Sequence, residues 1–387
     1  MRYKLRDIFD LQMGKTPSRN NPNYWNSDDH KWISIADLSK TGKYISETKE
    51  CLSECAIEES GIKAIPANTV IMSFKLSIGK TAITAEDMYS NEAIMAFYDK
   101  HVAELLPEYI YYLFTYKNWN EGSNKAVMGK TLNKTTLSEV EIDICSVERQ
   151  REIIEVLDRT KQIVSDRENQ VRLFATLIRA RFVEMFGNVD TGNYRYKTYK
   201  LGDVASVGSS HRVFTTEFVE KGVPFYRGTE IGELANGIKP TEPYFISKEQ
   251  YNRLANDDTK PQIGDLLMPS ICNKGQVWMV DTKEPFYYKD GRVLCISPDR
   301  EIFDTKYLEY FMRVKTLVTY PKLGSGSTFA EFKIFLLKGI DVLVPPRNLQ
   351  EQFADFVRQV DKSKAAIQKS LDETQLLFDS LMQKYFG

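Results

Sequence analysis

Histidine and cysteine are scarce in this chain, net charge is almost absent, and no long apolar run occurs. The three histidines are His30, His101 and His211, and the five cysteines are Cys51, Cys55, Cys145, Cys272 and Cys295. An odd, scattered set of cysteines is not a disulfide framework. Cys51 and Cys55 lie close together, but no second ligand cluster accompanies them, so no metal site is expected. Nothing approaches the ~18 consecutive apolar residues of a membrane helix. The charged start, Met1-Arg2-Tyr3-Lys4-Leu5-Arg6-Asp7, has no apolar region behind it, so no secretory leader is expected and the cytoplasm is the default location. A formal charge of −1 excludes a chain wholly devoted to coating nucleic acid. It leaves room for local basic faces, because the local field decides where a phosphate docks.

What is present is 387 residues, 42% hydrophobic and 27% charged, enough for two or three globular domains. The informative feature is an internal duplication. Tyr3-Lys4-Leu5-Arg6-Asp7-Ile8 returns as Tyr199-Lys200-Leu201-Gly202-Asp203-Val204. Thr69–Ser73 followed by Gly79 returns as Asp265–Pro269 followed by Gly275. Leu137–Ile142 returns as Leu337–Val342, and Phe186-Gly187 as Phe386-Gly387. The conserved order and near-constant displacement define a mixed globular part followed by a long helix, used twice.

The globular parts combine short β-prone runs (Val70–Phe74, Ile94–Tyr98, Val277–Val280, Val293–Ile296) with two aromatic-rich helices, Pro107–Lys117 and Thr305–Val318. Seven-residue rhythms follow each. Leu157, Val164, Val171, Ile178 and Met185 form a row beside Ile153, Thr160, Arg167, Phe174 and Arg181. The second copy sets Val357, Lys364, Leu371, Phe378 and Tyr385 beside Phe353, Val360, Ile367, Thr374 and Leu381. Neither run contains Pro or Gly. Asn348 with Glu351 predicts a capping box, and Gly187 a C-terminal cap. Polar intrusions at Arg167, Arg181, Lys364 and Thr374 each match in position an apolar residue of the other copy (Ile367, Leu381, Val164 and Phe174), which favours the helices packing on each other and not on copies of themselves. Chain order then makes the pair antiparallel, with the globular parts at opposite ends. A helix of ~38 residues spans ~57 Å. Two similar surfaces on such a frame suit a bipartite duplex target. The expected class is α+β: two similar recognition domains (1–146 and 188–346) and two long antiparallel coiled-coil helices (147–187 and 347–387) in a pseudo-two-fold repeat. Two unrelated surface helices docked on their own domains are the bland alternative.

Further residues resemble the specificity subunits of type I restriction-modification systems over essentially the whole chain. They are Gly14-Lys15-Thr16-Pro17-Ser18, Asn21-Pro22-Asn23-Tyr24-Trp25 and Lys31–Leu38, with Val223-Pro224-Phe225-Tyr226-Arg227 in place of Trp32-Ile33-Ser34. Both halves end in a short β-run leading to a glutamine-rich helix start: Ile142–Cys145 to Gln150, and Val342–Pro346 to Gln350 and Gln352. The first copy lacks the proline pair, which leaves its helix start open. The resemblance implies a non-catalytic subunit whose globular parts each read half of a split DNA sequence. It implies helices that dock methyltransferase subunits and, through them, restriction subunits. S-adenosylmethionine, ATP and Mg would belong to those partners, with no cofactor on this chain.

Several motifs imitate other chemistry. Gly-Lys-Thr occurs at 14–16, 79–81 and 129–131, but a P-loop needs a glycine five residues earlier, where Phe9, Phe74 and Asn124 stand. Asn21-Pro22-Asn23-Tyr24 lacks the second proline of an adenine methyltransferase signature, so a loop anchored by Tyr24 and Trp25 is the better reading. Gly324-Ser325-Gly326-Ser327 lacks the spacing of a hydrolase elbow. Trp119, Trp278 and Tyr109–Tyr116 are expected in the core, since duplex readers seldom stack bases. The candidate DNA contacts are loop donors. In the first half they are Lys15, Thr16, Ser18, Arg19, Lys75, Ser77, Lys80, Lys130 and Lys134. In the second they are Ser209, His211, Arg212, Arg227, Asn273, Lys274, Lys322, Ser325 and Ser327. A self-contained methyltransferase or nuclease, and a coiled-coil adaptor without DNA, are the competing readings.

Overall fold

The computed structural model describes residues 1–25, 27–75, 77–119, 132–255, 259–323 and 330–387. It divides into two compact units, Met1–Glu168 with Lys369–Gly387, and Asn169–Gln368. Lys130, Ser325 and Ser327, with the 129–131 triplet, lie outside the described residues.

The first unit is built on five strands: β1 (Phe9–Met13), β2 (Tyr44–Ile45), β3 (Val70–Ser73), β4 (Thr81–Thr84) and β5 (Ile94–Asp99), in the order β1-β5-β3-β4-β2. All pairs are antiparallel except β2 with β4, and the register sets Val70 opposite Phe97 and Met13 opposite Met95. Side chains alternate across a strand. Val70, Met72, Ile83, Met95 and Phe97 therefore face a core with Tyr109, Tyr112 and Phe114 of the helix Pro107–Tyr116. Ile71, Ala82, Ile94 and Ala96 face Ile33, Leu38 and Ile45 on the other side. A sheet covered on both faces explains why its strands read as unbroken apolar runs and not as an alternation. Beside it, Glu50–Leu52, His30–Ile33 and Tyr89–Ser90 form a small sheet, antiparallel then parallel.

The long helix α1 (Val147–Phe186) begins in this unit. Its start is fixed by Gln150, whose side chain is fully buried. Gln150 Nε2 donates to the carbonyls of Glu104 (2.8 Å) and Cys145 (3.0 Å), while Oε1 accepts from Leu106 N–H (2.9 Å). Ile153 and Leu157 continue the buried stripe, against which Phe378, Leu381, Met382 and Tyr385 pack. The two stretches run antiparallel: Arg149 lies over the Tyr385 ring, while Arg167 donates to Ser370 O (2.7 Å) and to Thr374 Oγ1. Two of the polar intrusions thus meet each other across the seam.

The second unit repeats the plan with β6 (Ala205–Gly208), β7 (Leu266–Pro269), β8 (Trp278–Met279) and β9 (Val293–Pro298), all antiparallel in the order β6-β9-β7-β8. Leu266, Met268, Leu294 and Ile296 face Tyr307, Phe311 and Met312 of the helix Thr305–Thr319. Leu267, Val293 and Cys295 face Ile231, Ala235 and Phe286. The small sheet recurs as Tyr244–Ile246, Val223–Tyr226 and Tyr287–Tyr288, again antiparallel then parallel. Gln350 recurs too, fully buried, at the start of the second long helix, α2 (Arg347–Phe386). Its Nε2 donates to Ile302 O (3.0 Å) and Pro345 O (2.8 Å), and its Oε1 accepts from Asp304 N–H (3.0 Å).

Two helix details differ from expectation. α2 begins at Arg347, with Pro346 O accepting from Leu349 and Gln350, so Asn348 lies inside the first turn and is no cap; Glu351 pairs with Arg347 at 2.9 Å instead. At the far end of α1 the buried face leaves the seven-residue rows after Ile178 and continues through Phe182 and Phe186. These four-residue steps dock the last turns onto an aromatic core: Phe182 sits 5.4 Å from the Phe353 ring and 5.3 Å from Tyr310. Gly187 closes the helix at φ +97°, where a Cβ would stand 2.2 Å from Asn193 O. Trp119, Trp278 and the Tyr109–Tyr112 stretch are core residues as expected. Burial pushes the Cys272 thiol up to about 11 and that of Cys295 up to about 12. Among the described residues no helix is long and apolar enough to cross a membrane.

Candidate nucleic-acid interface

In the first unit the loop that leaves β1 crosses the small sheet. Gly14 N–H donates to Ile94 O (3.1 Å), Lys15 N–H to Ser90 O (2.8 Å), and Trp32 Nε1 donates to Lys15 O (3.1 Å). The Asn21-Pro22-Asn23-Tyr24 segment is a single 3₁₀ turn capped by Asn21, and Trp25 Nε1 donates to Ser18 O (3.1 Å). That is the structural loop the sequence suggested. It braces Arg19, which bridges Glu50 with two bonds (2.5 and 3.1 Å) and lies 3.7 Å over the Trp25 ring. Arg19 is half-exposed but already committed to partners.

Thr16 Oγ1 donates to the Glu92 carboxylate, which that bond holds below the usual carboxylate range, helped by Lys75 and Arg19. The structure therefore gathers Thr16, Arg19 and Lys75 about Glu92. Lys75, Ser77 and Lys80 belong to the β3–β4 connection, which Ser73 staples: its Oγ donates to Ser77 O (2.6 Å) and accepts from Lys80 N–H (3.1 Å). Ser77 has φ +50° and so serves the turn first.

Lys15 and Lys134 meet elsewhere, along an open depression of about 840 Å³ beside β1, together with Arg6, Lys63 and Lys100. Lys15 Nζ donates to Ser60 O, Lys100 pairs with Asp10 (3.2 Å), and Arg6 pairs with Glu139. Sequence reasoning missed Arg6, Lys63 and Lys100, which come from three separate elements; only the folded sheet brings them to one side. Lys134 opens the short helix Lys134–Ser138, capped by Asn133.

The second unit uses the same frame. Ser209 Oγ donates to Val293 O (2.8 Å) and accepts from Gly291 N–H (2.8 Å). Ser210 Oγ donates to Tyr288 O (2.5 Å), and His211 N–H donates to Tyr287 Oη (3.0 Å). Arg212 is 70% exposed and reaches Asp290 at 3.3 Å. Asn273 and Lys274 are exposed in the turn after β7, with Lys274 N–H donating to Gln276 Oε1 (3.0 Å). Lys322 is exposed in the 3₁₀ turn Tyr320–Lys322. Arg227 is the single residue that links the strand Val223–Tyr226 to a helix. It caps the helix Gly228–Ala235, holding Glu230 through its backbone N–H (2.8 Å) and guanidinium (2.6 Å), and lies 4.5 Å over the Tyr244 ring. Arg292, bound to Glu331 at 2.8 Å, adds a cation that the sequence did not single out.

Comparison with known proteins follows the same division. The family model described as type I restriction modification DNA specificity domain matches residues 1–173 and again 193–374. The type I restriction enzyme MjaIX specificity subunit of Methanocaldococcus jannaschii is 24% identical over 408 residues, covering 98% of this chain and 91% of that protein. The S subunit of a type I restriction-modification system from M. genitalium has a crystal structure with a TM-score of 0.58 at 14% identity, covering 100% of this chain and 96% of that one. A chain from a study of complex assembly and conformational transition of the type I R-M system aligns with a TM-score of 0.64 at 17% identity, covering 100% and 97%. The two structural likenesses carry the fold.

Proposed function

This chain belongs to the type I restriction-modification DNA specificity family, as a specificity subunit and not a catalytic one, and on that premise we propose that each unit reads one half of a bipartite duplex target. The long helices set the spacer between the half-sites and dock methyltransferase subunits, which in turn bring the restriction subunits. S-adenosylmethionine, ATP and Mg are held by those partners, and the assembly works in the cytoplasm.

The observation that carries this reading is the duplicated loop frame. In each unit the loop leaving the first sheet strand is pinned across the small sheet, by Lys15 N–H on Ser90 O and by Ser210 Oγ on Tyr288 O. Around each pinned loop stand exposed cations and hydroxyls suited to phosphates and base edges. The docking role is supported by apolar residues left in the open on the helices: Leu173 (58% exposed) and Leu177 (48%) on α1, Leu376 (69%) and Leu377 (53%) on α2. The test is to co-purify the chain with its methyltransferase subunit and footprint the complex on host DNA. Two protected half-sites at fixed spacing are expected. Unchanged DNA binding after alanine replacement of Lys15, Lys75, Lys80, Arg212 and Lys274 together would refute the placement.

A further inference from the structure

Each loop frame also contains a carboxylate at the same place. In the first unit the parallel strand of the small sheet ends at Ser90 and β5 begins at Ile94; two residues after Ser90 stands Glu92. In the second unit the parallel strand ends at Tyr288 and β9 begins at Val293; two residues after Tyr288 stands Asp290. The second connection is one residue longer, yet the acid keeps its distance from the strand end. Each carboxylate is engaged by the loop leaving the first sheet strand, Glu92 by Thr16 and Asp290 by Arg212. Glu92 is exposed, and Lys75 and Arg19 are near enough to act on it electrostatically.

A carboxylate repels phosphate, so on a face meant only for the DNA backbone it would be a fault, and it occurs twice. It is an acceptor without a donor. In the major groove such a group suits the exocyclic amino group of cytosine, or of adenine. We infer that Glu92 and Asp290 are base-reading groups, each accepting from an exocyclic amino group of one base pair in its half-site, with Thr16 and Arg212 fixing their aim. The inference rests on the proposal that these loop faces meet duplex DNA.

The experiment uses the full chain assembled with its methyltransferase subunit and a pool of duplexes randomised across both half-sites. Bound sequences are read out for the parent, Glu92→Gln and Asp290→Asn. An amide keeps the size and one acceptor but adds a donor. Glu92→Gln should relax or shift the preference at a single base pair of one half-site by about five- to 150-fold, the span of one good base contact. Asp290→Asn should do the same in the other half. Affinity for non-specific DNA should hold or rise, because a negative charge is gone. A uniform loss across all sequences, or an unchanged profile with unchanged melting, would show that the carboxylates only brace their loops, and would overturn the inference while two-site reading stands. A parent complex that selects no sequence would overturn both.

Discussion

Replacing Gln350 by Leu removes a side chain whose three hydrogen bonds all go to backbone. Ile302 and Pro345 would lose a donor to their carbonyls, and Asp304 N–H its acceptor. Leucine nearly matches the volume, so no cavity term enters. A buried backbone group left unpaired costs about 1–3 kcal/mol. The two carbonyls can relax toward water more readily than the single N–H, so a total of about 3–5 kcal/mol is expected. For a unit of this size, each kcal/mol moves the midpoint by about 2–4 °C, giving a fall of about 6–20 °C. Gln350→Glu should be at least as damaging, since a carboxylate would then face two carbonyls. Gln352 on the same helix is exposed, so Gln352→Leu should stay within about 0.5 kcal/mol of the parent. Differential scanning calorimetry of the three variants decides the matter. If Gln350→Leu melts with Gln352→Leu, the glutamine clamp does not hold the helix start. Gln150→Leu should behave as its counterpart does, because its three bonds are the same.

Three further outcomes are expected. Phe182→Ala, at a side chain 2% exposed among Tyr307, Tyr310 and Phe353, should cost about 3–5 kcal/mol and lower the urea midpoint without changing the slope. Burial alone would raise the pKa of Glu230, but its bonds from Arg227 outweigh that and leave it below the ordinary carboxylate value. A depressed folded pKa contributes stability above the unfolded value of about 4.5, lost as pH falls through the folded one. Parent and Glu230→Gln should therefore differ most in melting at neutral pH and converge in acid. Lys63→Ala and Lys134→Ala should each flatten the salt dependence of DNA binding by the assembled complex by about one unit if they contact phosphate, and leave sequence preference untouched.

Much of the architecture was legible because the repeat is written in core positions. Tyr3 and Tyr199 lie in matching edge strands that pair with Ile142 and Val342. Gln150 and Gln350 were visible as a motif, but not as clamps, because two of the three partners of each lie 44 to 48 residues away. The seven-residue rows predicted Ile153, Leu157 and Ile178 yet missed Phe182 and Met382, since docking on a globular core follows four-residue steps and not a coiled-coil seam. The candidate site was legible only by residue type. Arg19 and Arg227 look like free DNA donors in sequence, but Glu50 and Glu230 hold them. Arg6, Lys63 and Lys100 carry no signal of a shared site in sequence, and the edge of the sheet brings them together.

Gly14 has a consequence for how such a chain can change. A Cβ there would stand 2.2 Å from Ser90 O and 2.3 Å from Asn91 O, so no other residue fits without moving the small sheet. Of the very next positions, Lys15, Ser18 and Arg19 are exposed and Thr16 is half-buried, while Pro17 is buried. A position that must stay and positions free to vary are thus neighbours in the chain. A library randomised at 15, 16 and 18 should fold as often as the parent, whereas Gly14→Ala alone should not. A target could then be rewritten by mutation without the frame taking part.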